Sequence, residues 1–477
     1  MKFKPYPEYK ESGVPWLGKV PGHWTSKVGL AILKEKQVKN IGLKEKTVLT
    51  LSYGKIKVKP QDKLHGLIPD SFETYQIVEP EDIIIRPTDL QNDKVSLRVG
   101  KVKDKGIITS AYICLKPIDG LKADYAHLLL HSLDLMKVFY GLGSGLRQNL
   151  SWLDFKRLPF FIPNPVEQTQ IARFLDYKST QIARFIRAKK RMIELLKEQK
   201  QAIINDAVTG KVDVRTGKPY PKYKESGVEW LEKVPEGWQI RRLNQISNKI
   251  TNGFVGPTRD IMKERGIPYI QGIHIKNRKI QFTPDGPFYV SKEWSEEHLR
   301  SVLKKDDVLV VQTGSVGEVG LVQAEFEGAN CHALIIIQTK KEICLGHFLV
   351  GLLSSQFGFQ SLMNIKTGDI LFHLNSTRIK YLVLPMPSIE EQINIRKFID
   401  THTLAMDLTI SRTEREISLI QEYRTRLIAD VVTGKIDVRD IIVPEIPEEV
   451  SIAESDSEAV KLEEESDQSL EPSEVEE

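Results

Sequence analysis

The residues best suited to chemistry in this 477-residue chain are polar and basic side chains gathered in predicted loops. The first half offers Arg86, Thr88, Gln91 and Arg98, then Thr109 and Ser110, then Arg147, Gln148 and Asn149. The second half offers Gln271 and His274, Gln312, Thr313 and Ser315, Asn330 and His332, and Asn375 and Thr377. Basic side chains neutralise backbone phosphates, while Arg, Gln, Asn, Ser and Thr hydrogen-bond the base edges of duplex DNA. Most of these groups fall at predicted strand ends and loops, where binding side chains concentrate. Thr88 and Thr313 follow matching strands. Any one of them alone is an ordinary exposed loop residue, so the weight rests on the groups.

Catalytic patterns are missing from the sequence. There is no GxxxxGK[ST] phosphate loop. Gly314-Ser315-Val316-Gly317-Glu318-Val319-Gly320 is glycine-spaced but does not match the dinucleotide fingerprint. The ten histidines form no HExxH or comparable ligand set. Asn164-Pro165-Val166 lacks the second proline and the aromatic ring of an Asn-Pro-Pro-aromatic methyltransferase motif, so it reads as a loop before a helix. Three cysteines, Cys114, Cys331 and Cys344, show no metal-type spacing and point to a reduced, cytoplasmic protein without structural zinc.

The elements that must position these loops occur twice. Glu167–Arg215 returns as Glu391–Arg439 at an offset of 224 residues, and nine of the 13 positions from Ile203 to Arg215 are identical. Both copies predict a long helix. Leu175, Ile182, Leu196 and Ile203 recur at seven-residue multiples, with Lys189 as the exception, and Ile186 and Ile193 lie beside them. Ile399, Met406, Ile420 and Leu427 repeat that spine, which suits mutual antiparallel pairing. About 42 residues at ~1.5 Å each give a rod of roughly 60 Å. A second repeat, Tyr6–Trp24 and Tyr220–Trp238, keeps 14 of 19 positions and predicts a clip made mostly of loop and turn. Between the repeats lie two variable blocks. Strands are expected at Thr47–Leu51, Asp82–Arg86, Ile107–Leu115, Pro268–Ile270, Val308–Gln312 and Ala333–Gln338. Helices are expected at Tyr125–Tyr140 and Gly346–Met363.

Length alone implies about two to four domains. The predicted plan is a first globular block over 1–163, a long helix in 164–215, a second block over 216–387, a long helix in 388–440 and an acidic tail over 441–477. From Ile441 onward there are 14 Asp/Glu and one Lys, so the tail carries −13 and the body +17 of the net +4. A basic body with an acidic, disordered appendage is the asymmetry expected of a polyanion binder. No apolar run approaches the ~20 residues of a membrane helix, and the N-terminus lacks a signal-peptide core.

Residues 1–440 resemble the specificity (DNA-recognition) subunits of type I restriction–modification enzymes. The resemblance rests on Pro163, Pro165, Glu167 and Gln168, on Pro385, Pro387, Glu391 and Gln392, on the paired TGK-[VI]-DVR segments, and on the YKESGVxWL repeat. It implies an α/β (α+β) fold with two similar target recognition domains separated by two long antiparallel helices, a pseudo-twofold internal repeat. It implies that each domain reads one half of a bipartite double-stranded DNA site while the helices fix the spacer. It also implies partners: two modification (methyltransferase) subunits that bind S-adenosylmethionine, and motor-nuclease restriction subunits that use ATP and Mg. This chain would then bind no cofactor or metal and carry no catalytic residue. The acidic tail departs from the usual plan. The competing classes are a self-contained DNA methyltransferase or nuclease, and a structural scaffold that reads no sequence.

Overall fold

The computed structural model describes residues 3–60, 71–88, 90–91, 97–142, 149–228, 230–282, 288–367 and 373–445. Arg147, Gln148 and most of the acidic tail lie outside them. The chain forms two compact units, one of Met1–Lys190 with Glu414–Glu477, the other of Arg191–Thr413. The boundary cuts both long helices, Pro165–Val208 and Ile389–Val432.

Each unit is built on the same four-strand order. In the first it runs Leu33–Glu35, Ile113–Pro117, Ile83–Ile85, Val99–Lys101. In the second it runs Ser247–Asn252, Leu334–Thr339, Val308–Val311, Val319–Leu321, and two short strands extend it at Lys279–Ile280 and Ile275–Lys276. A further antiparallel pair closes each unit: Thr25–Val28 with Pro159–Ile162, and Gln239–Arg242 with Val383–Met386.

The apolar runs at the centre explain the layering. Side chains alternate across a strand, so a strand buried on both faces must be apolar throughout. Ile83 and Ile85 join the core that holds the long helices, whereas Ile84 joins a separate outer core with Leu49, Val78, Ile108 and Cys114. Val308 and Val310 face the helical core of the second unit, and Leu309 and Val311 face an outer core with Ile270, Ile275 and Cys331. Each such side chain contributes roughly 1.5–3 kcal/mol through burial.

Several elements depart from the sequence expectation. The clip carries a β-hairpin in each copy, Tyr9–Glu11 with Lys19–Pro21 and Tyr223–Val228 with Leu231–Pro235; the first copy is otherwise loop and turn as expected, whereas the second is mostly strand. Ile107–Leu115 is split into Gly106–Ile108 and Ile113–Pro117 by a turn at Thr109–Tyr112. The helix expected over Tyr125–Tyr140 stops at Leu135, because Lys137 takes a left-handed φ of 60° before a short 3-10 turn. The Gly346–Met363 helix breaks at Ser354 and Ser355, where the Ser355 hydroxyl caps a new helix by accepting from Gly358 N.

The long helices also differ in period. Leu196 and Ile203 of the seven-residue spine are only half-buried. The buried positions recur instead every 11 residues: Ile171, Ile182, Ile193 and Ile204, with Leu175 and Ile186 alongside. The second helix buries Ile395, Ile417 and Ile428 at the same multiples, with half-buried Met406 between them and Ile399 and Ile410 alongside. Eleven residues in three turns is ~3.67 per turn, close to the relaxed helix, so the stripe stays on one face without the left-handed supercoil a heptad imposes. Lys189 pairs with Glu416 at 3.0 Å in the first unit, and Lys200 pairs with Asp407 in the second. In the first unit Phe174 and Leu175 share a core with Leu427–Val432, so the segments there run antiparallel. In the second, Ile204 and Val208 share one with Ile395 and Ile399, again antiparallel.

The repeated Glu-Gln pair fastens each helix start to two neighbours. Gln168 Oε1 accepts from Lys122 N at 2.8 Å, and its amide donates to Pro163 O at 2.9 Å. Gln392 does the same with Leu345 N at 2.8 Å and Pro387 O at 3.1 Å. Glu167 accepts from Tyr6 Oη at 2.8 Å and Trp24 Nε1 at 3.0 Å, and Glu391 accepts from Tyr220 Oη. Asn164 caps its helix by accepting from Glu167 N at 3.0 Å, which accounts for the Asn-Pro-Val segment. The TGK glycines are equally tied. A Cβ on Gly210 would lie 2.5 Å from Pro235, and one on Gly434 would lie 2.3 Å from Pro21. The clip of the second unit thus packs on the helix end that precedes it in sequence, while the clip of the first packs on residues near the other end of the chain.

Candidate nucleic-acid interface

In the second unit, five strand ends meet at one edge. His332 N donates to Ile270 O at 2.8 Å, and Phe254 N donates to Cys331 O at 2.9 Å. Leu374 N donates to Gln312 O at 3.2 Å, and the Gln312 amide reaches Asn252 Oδ1 at 3.4 Å. Gly272 sits against Val311, where a Cβ would come within 3.0 Å of Val311 Cγ1. These links bring Gln271, Thr313, His332 and Asn375 together. Thr313, Ser315 and Thr377 are exposed, and Gln271, His332 and Asn375 are half-buried. Gly314, at φ 75°, lets the Thr313–Glu318 connection turn tightly between Val308–Val311 and Val319–Leu321.

In the first unit fewer of the described residues mark the corresponding edge. Leu150 N donates to Pro87 O at 2.9 Å, the counterpart of the Leu374–Gln312 link. Tyr112 precedes Ile113, which pairs with Ile85, so the Thr109–Tyr112 turn lies beside Arg86. Thr88 and Thr109 are half-buried, and Gln91, Ser110 and Asn149 are exposed. Thr109 Oγ1 accepts from Ala111 N at 3.3 Å and Ser110 Oγ donates to Thr74 O, so both hydroxyls shape the turn that presents them.

Four expected contact residues are interior. Arg98 is 0% exposed; its guanidinium donates to Thr88 O at 2.6 Å and Tyr140 Oη at 3.3 Å. Its basic character made it a candidate contact, but a buried guanidinium that holds carbonyls is a framework group. Gln312 is 1% exposed and ties two strand ends together. Asn330 is 0% exposed; its amide contacts Ser295 Oγ at 3.3 Å, and its Oδ1 accepts from Cys331 N at 2.9 Å. His274 is 1% exposed between Phe282 and Phe288, both rings at 4.9 Å, and burial lowers its pKa to about 4, leaving it neutral at pH 7. These four shape the edge and do not face out of it.

Other groups at the edge were not singled out from the sequence. Phe254 contacts Trp294 at 5.0 Å and His298 at 5.1 Å, and Trp294 stacks on His298 at 4.0 Å. Tyr269 joins them, 5.6 Å from Trp294, with its hydroxyl 3.3 Å from His332 Nδ1. Arg378 is exposed just past Asn375, whose Oδ1 accepts from Arg378 N at 3.1 Å. An aromatic residue between two glycines, Gly253-Phe254-Val255-Gly256, is the signal that could have located this cluster. Among the described residues no group of His, Cys, Asp and Glu could hold a metal ion, and no helix is long and apolar enough to cross a membrane. Cys114, Cys331 and Cys344 are buried thiols, and burial pushes the Cys344 pKa up to about 12.

The profile described as "Type I restriction modification DNA specificity domain" matches residues 235–418. The chain is similar to the EcoBI specificity subunit of Escherichia coli, 25% identical over 278 residues, covering 58% of each chain. It is similar to a putative MjaX specificity subunit of Methanocaldococcus jannaschii, 24% identical, covering 61% of this chain and 63% of that one. The chain thus spans less than two thirds of the length of either relative. A solved chain, described under complex assembly and conformational transition of the type I R-M system, superposes with a TM-score of 0.57. It is 13% identical, and the match covers 87% of this chain and 99% of that one. Profile and relatives both point to type I restriction–modification specificity subunits, which this chain resembles, and the solved chain shares its fold.

Proposed function

We propose that this chain is a non-catalytic DNA-reading subunit in which each unit reads one half of a bipartite site. The observation that carries it is the pairing of a repeated scaffold with unlike edges. The same strand order, Glu-Gln fastening and strand-end link occur twice, yet the side chains at the two edges differ. A scaffold without sequence reading would have no use for that difference. Thr88, Thr109, Ser110, Gln91 and Asn149 form one reading edge, with Arg86 beside it. Gln271, Thr313, Ser315, His332, Asn375 and Thr377 form the other. The basic body supplies phosphate attraction. The two long helices act as a ruler for the unread spacer and dock two modification subunits, which bring S-adenosylmethionine and flip the target adenine. Restriction subunits bring ATP and Mg.

The test is selection of bound duplexes from a randomised pool at fixed salt. A reading subunit enriches two half-sites at a fixed spacing. A scaffold enriches none, because phosphate contacts carry no sequence preference. Purified chain with labelled S-adenosylmethionine and DNA should transfer no methyl group; transfer would establish the self-contained enzyme instead. Deleting 11 residues from each long helix keeps the buried stripe in phase and removes roughly 16 Å. The spacer should then shorten by about five base pairs, at ~3.4 Å per step, with both half-sites unchanged. A changed half-site would refute the ruler.

A further inference from the structure

The edge of the second unit carries exposed aliphatic side chains, Val255 and Ile273, of which Val255 is the more exposed. Val255 is 68% exposed, between half-buried Phe254 and Gly256. The backbone that presents it is fixed. Phe254 N donates to Cys331 O, and Phe254 O accepts from Ala333 N, both at 2.9 Å. Gly253 N donates to Leu334 O at 2.8 Å. A Cβ on Gly253 would fall 2.7 Å from Cys331 O, and one on Gly256 would fall 2.8 Å from the Phe254 ring. The two glycines therefore let the chain fold close over the Phe254–Trp294–His298 stack and leave Val255 at its tip. Polar Gln271, Thr313 and His332 stand at the same edge, and exposed Arg259 follows four residues later.

An isopropyl group among hydrogen-bonding side chains selects an apolar partner. The major groove of DNA offers one, the 5-methyl group of thymine, whereas the other base edges there present hydrogen-bonding groups. We propose that Val255 reads a thymine in the half-site of the second unit by packing on its methyl group. This rests on the DNA-reading function above and deepens it. Phe254 acts as the positioning residue, holding the loop through its backbone bonds and ring contacts.

The test uses the full chain and the duplex it selects from a randomised pool. Each thymine of the selected site is replaced in turn by uracil, which keeps every hydrogen-bonding group and loses only the methyl. One thymine in one half-site should weaken binding about fourfold on replacement, the equivalent of ~0.8 kcal/mol for a buried methyl-sized group. Val255→Ala should bind the thymine duplex about as weakly as wild type binds the uracil duplex, and should be insensitive to the replacement. Val255→Leu, which keeps an apolar tip, should retain sensitivity. Val255 is exposed, so neither variant threatens folding, and unchanged selection of the other half-site verifies that. A second half-site without thymine, or a Val255→Ala chain as sensitive to uracil as wild type, overturns the inference while leaving sequence reading intact. Weakened binding in Val255→Ala with no uracil effect in wild type overturns it in favour of a wedge between base pairs. Absence of any selected sequence overturns both the inference and the function it rests on.

Discussion

The two units share a frame and differ in how firmly it is pinned. In the first, Glu167 is 3% exposed and accepts from Tyr6, Trp24 and His23, the last at 2.8 Å. In the second, Gly237 stands where the first has His23, and Glu391 is half-buried with its hydrogen bond from Tyr220. The buried Trp238 Nε1 has no partner among the described residues. Behind the reading edge the contrast repeats. Arg98 holds the first edge with several donors, whereas Gln312 holds the second through contacts of 3.4 Å and leaves its Oε1 unpaired among the described residues. The clip of the first unit joins segments far apart in sequence, such as Tyr9 with Lys435 O, whereas that of the second joins neighbours, Tyr223 with Lys211 O. Firmer side-chain bonding thus accompanies the junction that has no short covalent connection.

That contrast can be broken by substitution. Arg98→Met should have the largest effect, destabilising the first unit by about 3 kcal/mol, because it orphans the carbonyls of Arg86 and Thr88 in a buried setting. Gln312→Leu, at the edge of the second unit, should cost only ~1 kcal/mol, since it removes long bonds together with an unsatisfied oxygen. Glu167→Gln should cost about 2 kcal/mol and Glu391→Gln about 1 kcal/mol. Denaturant unfolding with hydrogen-exchange readout of each unit measures all four, and equal costs within either pair would dissolve the contrast.

The frame was legible because it is repeated. The 224-residue offset located both long helices to within two residues of their starts, since Pro165 favours the first helical turn and Gly210 and Gly434 stop the exits. Central strands such as Val308–Val311 were legible from continuous apolar runs. The helix period was misread because half-buried Leu196 and Ile203 fit a seven-residue count as readily as the 11-residue count of the buried isoleucines. The short strands of the clip were not foreseen because residues such as Tyr9–Glu11 are exposed and carry no alternation. The edges were legible only in part. Thr313 and Ser110 are outward, but polarity does not distinguish a surface Arg from Arg98, which folds inward to bind carbonyls. Phe254 was overlooked because an isolated aromatic in a loop declares its neighbours only after Trp294 and His298 are brought to it.

The central claim is that each edge reads its own half-site, and selection of bound duplexes by paired variants tests it most directly. Thr88→Ala with Ser110→Ala alters one edge; Thr313→Ala with Ser315→Ala alters the other. Each pair should relax the selected sequence in one half-site only, a different half for each pair, with the spacer unchanged. A pair that relaxes both halves, or two pairs that relax the same half, would contradict the account.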